Sequence, residues 1–231
     1  MKLNVEILGK FYDNHSLAIV NRNIAIELSK YHNVFITPMD IFDPEFSKLD
    51  KVTIRKLKEL ETKETVEPDI QIRHTYPPIW RWPLSDKTKV VYIQPWEWCR
   101  IPFEWQYKWE TFADALIVPS TWIRDIVLDA GLNPKNIYVI PNGFNPSLFT
   151  NNEIYNPLLD PNNFTFTYIG NSQYRKGIDI LLNAWSKAFQ KADKVQLFIK
   201  DSPIIYGENN LLNEIIKLQF KTGCASIIYN S

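Results

Sequence analysis

The sequence predicts an α/β protein: a doubly wound parallel sheet followed by a second unit of the same kind. Three observations carry this. The chain opens as strand, loop, helix, strand, which is how a doubly wound sheet begins. Strand and helix signals then alternate as far as about residue 141. After an Asn-, Pro- and Asp-rich stretch with weak periodicity, the alternation starts again at Phe164. That stretch reads as a linker, so the expected division is residues 1–150, a linker at 151–163, and a second unit over 164–231.

Leu3–Leu8 is a short apolar strand ending at Gly9. Leu17, Val20, Ile24, Leu28 and Tyr31 recur at helical spacing, with Ser16 as the expected N-cap. Asn33–Pro38 is the second strand. Residues 40–67 are charged and hold one weak helix around Val52–Leu60. Asp69–Arg73 and Lys89–Gln94 are further strands, each running into a Pro/Trp-rich loop, YPPIWRWP and QPWEWCRIPFEW. Asp114–Val118, Trp122–Ala130 and Ile137–Ile140 give strand, helix, strand, with Thr121 as the expected cap and Gly131 as the stop. Asn142-Gly143 is a turn signal, with a positive φ expected at the glycine.

The second unit opens on Phe164–Ile169, where aromatic or β-branched residues alternate with threonine, a strand pattern. Gly170 ends it, and Gly177 opens a helix whose Ile178, Leu181, Leu182, Trp185 and Phe189 form one apolar face. Lys194–Lys200 is the next strand, Leu211–Phe220 a helix and Ala225–Tyr229 a last strand. A strand, a glycine turn and a helix start make an anion seat, because the first helical N–H groups have no intrahelical partner and the dipole end is positive. Arg175 and Lys176 add two cations just before that helix. The same loop could equally carry solvated surface charges.

Composition narrows the function classes. Lys and Arg total 26 and Asp and Glu total 26, so the formal net charge is zero and no basic excess points to nucleic acid or a membrane surface. No run approaches the ~18 apolar residues of a membrane span, and the N-terminal apolar run is too short for a signal peptide. A cytoplasmic location is expected. Cys99 and Cys224 lie far apart without a CxxC, which predicts two free buried thiols. The first loop, KFYDNHS, has no glycine after Gly9, which disfavours a dinucleotide cradle. Six of the eight tryptophans fall between Trp80 and Trp109.

The motif YIG…RKGIDILLNAW resembles the opening of the second domain of family 4 glycosyltransferases, and VPSTWIRD…GL with VIPNGFNPSLF resembles the close of their first. HSLAIVNRNIAIEL, IRHTYPP and QPWEW are similar to one bacterial subgroup of that family. The resemblance spans nearly the whole chain. It implies the GT-B architecture, with an N-terminal Rossmann-like domain on the acceptor side and a C-terminal nucleotide-sugar-binding domain. It also implies retaining transfer from a nucleotide-diphosphate sugar to a glycan or glycoconjugate hydroxyl. By resemblance, Lys176 contacts the donor diphosphate, and Asn142 and Gly143 mark the cleft between domains. The arginine that often follows the first glycine in the family is Asn171 here, so Arg175 or Lys200 would supply the second cation. Members of the family continue with further strands and an acidic E-x7-E element. These 231 residues are therefore expected to show weak or no transferase activity alone, or to pair with a partner chain. Two further readings are a non-catalytic saccharide- or nucleotide-binding module, and a sugar-nucleotide epimerase of similar fold.

The chemistry requires the leaving diphosphate to be neutralised, the oxocarbenium-like centre stabilised and the acceptor hydroxyl held away from water. No two aspartates stand two apart, and three scattered His with two Cys make no metal constellation. No cofactor or metal is expected; Arg175, Lys176, Gly177 and Lys200 would seat the diphosphate. Lys200 stands at the carboxyl end of its strand, where ligands of open α/β sheets sit. His15 and Ser16 end the first loop and could touch acceptor or sugar phosphate, or simply cap the helix. Glu97, between Trp96 and Trp98, could have a raised pKa and assist proton transfer, or be a surface residue over packed rings. The tryptophan loops could stack sugar rings or form a rigid hydrophobic rim.

Overall fold

The computed structural model describes residues 1–44, 49–62, 66–131, 136–146, 156–201 and 211–230. The chain divides into two compact units, Met1–Asn145 and Pro146–Ser231. The first part of the expected linker, residues 151–155, lies outside the described residues.

In the first unit, β1 (Asn4–Gly9), α1 (Ser16–Leu28), β2 (Asn33–Pro38), α2 (Lys51–Glu61), β3 (Ile70–His74), β4 (Lys89–Ile93), α3 (Phe103–Phe112), β5 (Ala115–Val118), α4 (Thr121–Asp129) and β6 (Ile137–Val139) follow in order. The six strands form one sheet in the order β2-β1-β3-β4-β5-β6, every pair parallel. The core has two centres. Val5, Ile7, Val34, Ile36 and Ile72 pack with Ala25 of α1 and Leu57 and Leu60 of α2. Val90, Tyr92, Leu116 and Val118 pack with Trp109 of α3 and Ile123 and Val127 of α4.

The second unit contains β7 (Phe164–Ile169), α5 (Ile178–Ala188), β8 (Val195–Lys200), α6 (Leu211–Thr222) and β9 (Ser226–Asn230), with a 3₁₀ turn at Tyr174–Lys176. Its strands are parallel in the order β7-β8-β9. Ile178, Leu182 and Trp185 of α5 bury their apolar face against Leu197, Ile199 and Ile227, joined by Leu211 and Ile215 of α6. Trp185 also donates its Nε1–H to the Ala225 carbonyl (3.0 Å), so its polar edge is satisfied inside the core. Phe164 and Ile169 of β7 and Phe220 of α6 remain exposed.

Several local expectations are corrected. Helix α1 is capped by His15, whose Nδ1 accepts from Leu17 N, and Ser16 is its first residue. Likewise Ser120, not Thr121, caps α4; Gly131 does follow it at φ +87°. The buried face of α1 is Ala18, Asn21, Arg22 and Ala25, and Tyr31 is exposed. That face is polar because it lies over loop backbone that needs donors, as shown below. Cys99 is exposed, while Cys224 is buried as expected. Gly143 does not have a positive φ. Helix α3 begins in the last residues of the second tryptophan-rich stretch and runs beyond it, where no helix was expected. Pro102 at its N-cap and the aromatic residues mask the period, but Trp105 and Trp109 at i, i+4 share one face.

Candidate functional site

Strand order reverses at β1: β2 lies on one side and β3 on the other. Ligands of open α/β sheets bind beyond the carboxyl ends of the strands at such a switch point. Here the carboxyl ends of β1 and β3 lead into Lys10–His15 and Thr75–Trp82.

The first of these loops is held from both sides. The Asp40 carboxylate accepts the backbone N–H groups of Phe11 (2.8 Å), Tyr12 (2.8 Å) and Asp13 (2.7 Å). The opposite, carbonyl side is held by Arg22, whose Nη1 donates to Phe11 O (2.8 Å) and Asp13 O (2.7 Å). Asn21, fully buried, donates through Nδ2 to Lys10 O (3.0 Å) and His74 O (3.1 Å). Because both partners are carbonyls, the amide orientation is fixed, and its Oδ1 faces His74 Nδ1 at 2.8 Å. His74 therefore carries its proton on Nδ1 and keeps Nε2 as an acceptor.

Burial, with a smaller contribution from the charge of His15, lowers the His74 pKa from 6.5 to about 4. Folded His74 thus binds fewer protons than unfolded His74 between these values. Its contribution to stability is complete above pH 6.5 and is lost as pH falls toward 4. The wild type is expected to lose about 3 kcal/mol more stability than His74→Gln across that window, at 1.36 kcal/mol per pKa unit. Urea unfolding of both proteins at pH 7 and pH 4.5 checks this, and parallel losses would refute it.

Gly9 ends β1 beneath this network. A Cβ there would collide with the Asn21 amide and stand 2.8 Å from His74 O. Gly9→Ala is expected to cost about 1–3 kcal/mol by overpacking, read as a lowered thermal midpoint; an unchanged midpoint would show that Asn21 moves freely.

The second loop is pinned to the sheet by Arg73, which is 1% exposed. Its Nη1 donates to Ile79 O (3.1 Å), Arg81 O (2.6 Å) and Tyr92 Oη (2.9 Å), and its Nε to Gln71 Oε1 (2.7 Å). Tyr92 Oη–H in turn donates to Ile79 O (2.6 Å). The pinned loop lays Trp80 against Tyr92, Trp105 and Trp109 at centroid distances of 5.4–6.1 Å. Trp96 joins through Trp105 (5.0 Å) and Trp98 (4.9 Å). Trp96 is buried and donates Nε1–H to Arg100 O (3.1 Å), whereas Trp98 is half exposed. Tyr76, on the same loop and also exposed, meets Trp105 at 6.1 Å. Most of the rings form a packed rim, and Tyr76 and Trp98 are its partly exposed members.

In the second unit, Gly177 is the N-cap of α5 with φ +70° and ψ 26°. This left-handed conformation costs other residues roughly 1–2 kcal/mol. Arg175 and Lys176, both exposed, occupy the 3₁₀ turn before it; Arg175 Nε donates to Gln173 Oε1 (3.2 Å). Asp179 stands in the first turn of α5. Lys200 ends β8, paired in register with Ile169 and Asn230, so it shares the carboxyl edge with the loop after β7. Buried Asp201 follows it, accepting from Ser172 Oγ (3.0 Å) and Tyr229 Oη (3.0 Å). Burial and that hydrogen bond push the Tyr229 hydroxyl up to about 12. Tyr168 Oη donates to Asn171 O (2.9 Å). The loop at 170–173 is thereby braced from β7, β8 and β9.

The expected residues are therefore placed as follows. Arg175, Lys176, Gly177 and Lys200 share the carboxyl edge of the second unit. His15 and Ser16 begin α1 at the carboxyl edge of the first, with His15 Nε2 3.7 Å from Asp13 Oδ2. Glu97 is exposed, so the tryptophans do not desolvate it. Asn142 and Gly143 are exposed at the close of the first unit. Two surface concavities of about 330 and 440 Å³ lie at the amino ends of β4–β6 and contain none of these residues. Among the described residues no group of His, Cys, Asp and Glu could hold a metal ion, and no helix is long and apolar enough to cross a membrane. Sequence reading missed Asn21, Arg22, Asp40, Arg73, His74 and Asp201. A polar alternation inside the central strand, Gln71 and Arg73, was the available signal, since a parallel sheet is covered on both faces.

Two consecutive parallel α/β units, the first a six-stranded doubly wound sheet, have the GT-B fold. Residues 42–148 match the family described as Glycosyltransferase Family 4. Among solved structures, the chain is similar to Anabaena Alr3699/HepE in complex with UDP-glucose, with 14% identity and a TM-score of 0.56. The match covers 99% of this chain and 69% of that one. It is similar also to the apo form of the lipopolysaccharide outer core galactosyltransferase WaaB, with 14% identity, 98% and 67% coverage and a TM-score of 0.52. A third is UDP-N-acetylglucosamine 2-epimerase from Rickettsia bellii, with 12% identity, 100% and 69% coverage and a TM-score of 0.55. No curated protein matches the sequence.

Proposed function

We propose that this protein transfers a sugar from a nucleoside-diphosphate sugar to a hydroxyl of a glycan or glycoconjugate, with retention and without a metal ion, in the cytoplasm. The observation that carries the reading is the Arg175-Lys176-Gly177 turn at the start of α5, with Lys200 on the same carboxyl edge. Cations and helix amides together can neutralise a leaving diphosphate as it takes the electrons of the bond to the sugar. Residues 164–231 are assigned the donor and residues 1–150 the acceptor. HepE, similar in fold, is solved with UDP-glucose and with UDP and glucose, which makes a uridine diphosphate sugar the first donor to test.

On the acceptor side, Tyr76 and Trp98 offer ring faces for the apolar face of a pyranose, and Ser16 and Trp96 border that edge. A neutral imidazole has one acceptor nitrogen, and His15 spends it on the Leu17 N–H. His15 therefore serves as an Nε2–H donor to a sugar oxygen, and Glu97 remains the carboxylate for the acceptor proton. Asn142 and Gly143 close the acceptor unit as exposed backbone that can approach a ligand.

An epimerase of similar fold exists, but the family segment at 42–148 favours transfer. The test is incubation of the protein with uridine diphosphate sugars and oligosaccharide acceptors in EDTA, with or without a partner chain recovered from its native cell. A glycosylated product with retained anomeric configuration is expected with the partner chain, and little or none without it. Epimerised donor without transfer, or a strict metal requirement, would refute the reading.

A further inference from the structure

We propose that Asp40 is a built-in substitute for a ligand anion, so that the β1 end of the first unit takes an uncharged part of its ligand. The inference that this part is an unphosphorylated sugar rests on the acceptor-side reading above; the occupancy of the amides does not.

Three successive N–H groups, those of Phe11, Tyr12 and Asp13, converge on one carboxylate at 2.7–2.8 Å. Successive backbone amides turned to one point form an anion-binding concavity of the kind that cradles phosphates. This one stands at the switch point of the sheet, where a ligand is expected. Asp40 is no local turn residue of that loop: it comes from beyond the end of β2, 27–29 residues away in sequence. Arg22, buried behind the loop, donates to the Phe11 and Asp13 carbonyls and keeps the amides turned toward Asp40. The geometry of a phosphate cradle is thus complete, and its occupant is a side chain of the same protein. A phosphate arriving there would meet amides already engaged and a carboxylate of like charge.

The two units can be read separately by following backbone amide resonances while inorganic phosphate is added, with sodium chloride at matched ionic strength as the control. In the wild type the amides of Phe11, Tyr12 and Asp13 are expected to stay in place. In Asp40→Gly they are expected to shift saturably with phosphate and not with chloride. A saturable shift of these amides in the wild type would overturn the proposal, as would silence in a folded Asp40→Gly. If Asp40→Gly is unfolded without an anion, recovery of its amide spectrum on adding phosphate supports the proposal. No recovery at any phosphate concentration, with Asp40→Asn folded and silent, overturns it. The amides of Ile178 and Asp179 report the donor seat in the same titration. Silence there with a response in the Asp40→Gly loop would refute the donor reading and leave this inference standing.

Discussion

Replacing Arg73 by leucine is expected to destabilise the first unit by about 3–5 kcal/mol, the sum over the buried acceptors it would strand at roughly 1–3 kcal/mol each. The guanidinium is almost fully buried and has no carboxylate within ion-pair distance among the described residues. Its charge is answered in part by a relay, while its Nη2 is buried without a hydrogen-bond partner. Nε donates to Gln71 Oε1, and Gln71 Nε2 donates to Glu6 Oε2 at 2.5 Å, with Thr37 Oγ1 on the other oxygen of that carboxylate. Leucine would strand the carbonyls of Ile79 and Arg81 and the oxygen of Gln71, each an unsatisfied acceptor in low dielectric. It would also free the loop that carries Tyr76 and Trp80. Lysine in the same place keeps the charge but cannot reach in a planar fork, so Arg73→Lys should fall between the two. Urea unfolding followed by tryptophan fluorescence measures both. A loss below about 1 kcal/mol for Arg73→Leu, the value of a single hydrogen bond, would show that the network does not hold the loop.

The strands were legible because their signal is local. Asn33–Pro38 and Phe164–Ile169 have the expected bounds, and β1, β4 and β8 differ by one residue at one or both ends. The helix faces were legible where the covering is apolar, as for Ile178, Leu182 and Trp185 on α5. On α1 the pattern was legible in part: Ile24 and Leu28 pack against the core, but the fully buried face also meets loop backbone with carbonyls to satisfy, and Asn21 and Arg22 satisfy them. Nothing local in the sequence pairs Asp40 with Phe11, since the contact depends on β1 and β2 lying side by side. Asp201 was hidden for the same reason: its partners Ser172 and Tyr229 come from the ends of two other strands. The caps missed their positions by one residue. At His15 an imidazole nitrogen does what a hydroxyl was expected to do, and at Ser120 two hydroxyl residues stand side by side and the first is chosen.

Lys176→Ala is expected to weaken binding of a nucleoside diphosphate by about 10- to 100-fold, since a charged hydrogen bond contributes roughly 1.5–3 kcal/mol. Lys176 is exposed and stands one residue before the α5 cap. The loss should therefore appear in affinity and leave the unfolding midpoint where it was. Lys176→Arg should retain most of the binding, because a cation at that place is what matters, whereas Arg175→Ala should lose less. Asp179 in the first helical turn partly offsets the dipole, which leaves the side-chain cations as the larger contribution. Equal affinity of wild type and Lys176→Ala, in calorimetry at low salt, would remove this lysine from the site.

The most direct measurement is calorimetric titration of the wild type with UDP and, in parallel, with uridine, both in EDTA. The predicted result is that UDP binds and uridine binds at least about tenfold more weakly, one charged phosphate contact being sufficient for that difference. Equal binding of the two, or binding of UDP only after a divalent metal is restored, would contradict a diphosphate seat built from Lys176, Gly177 and the start of α5.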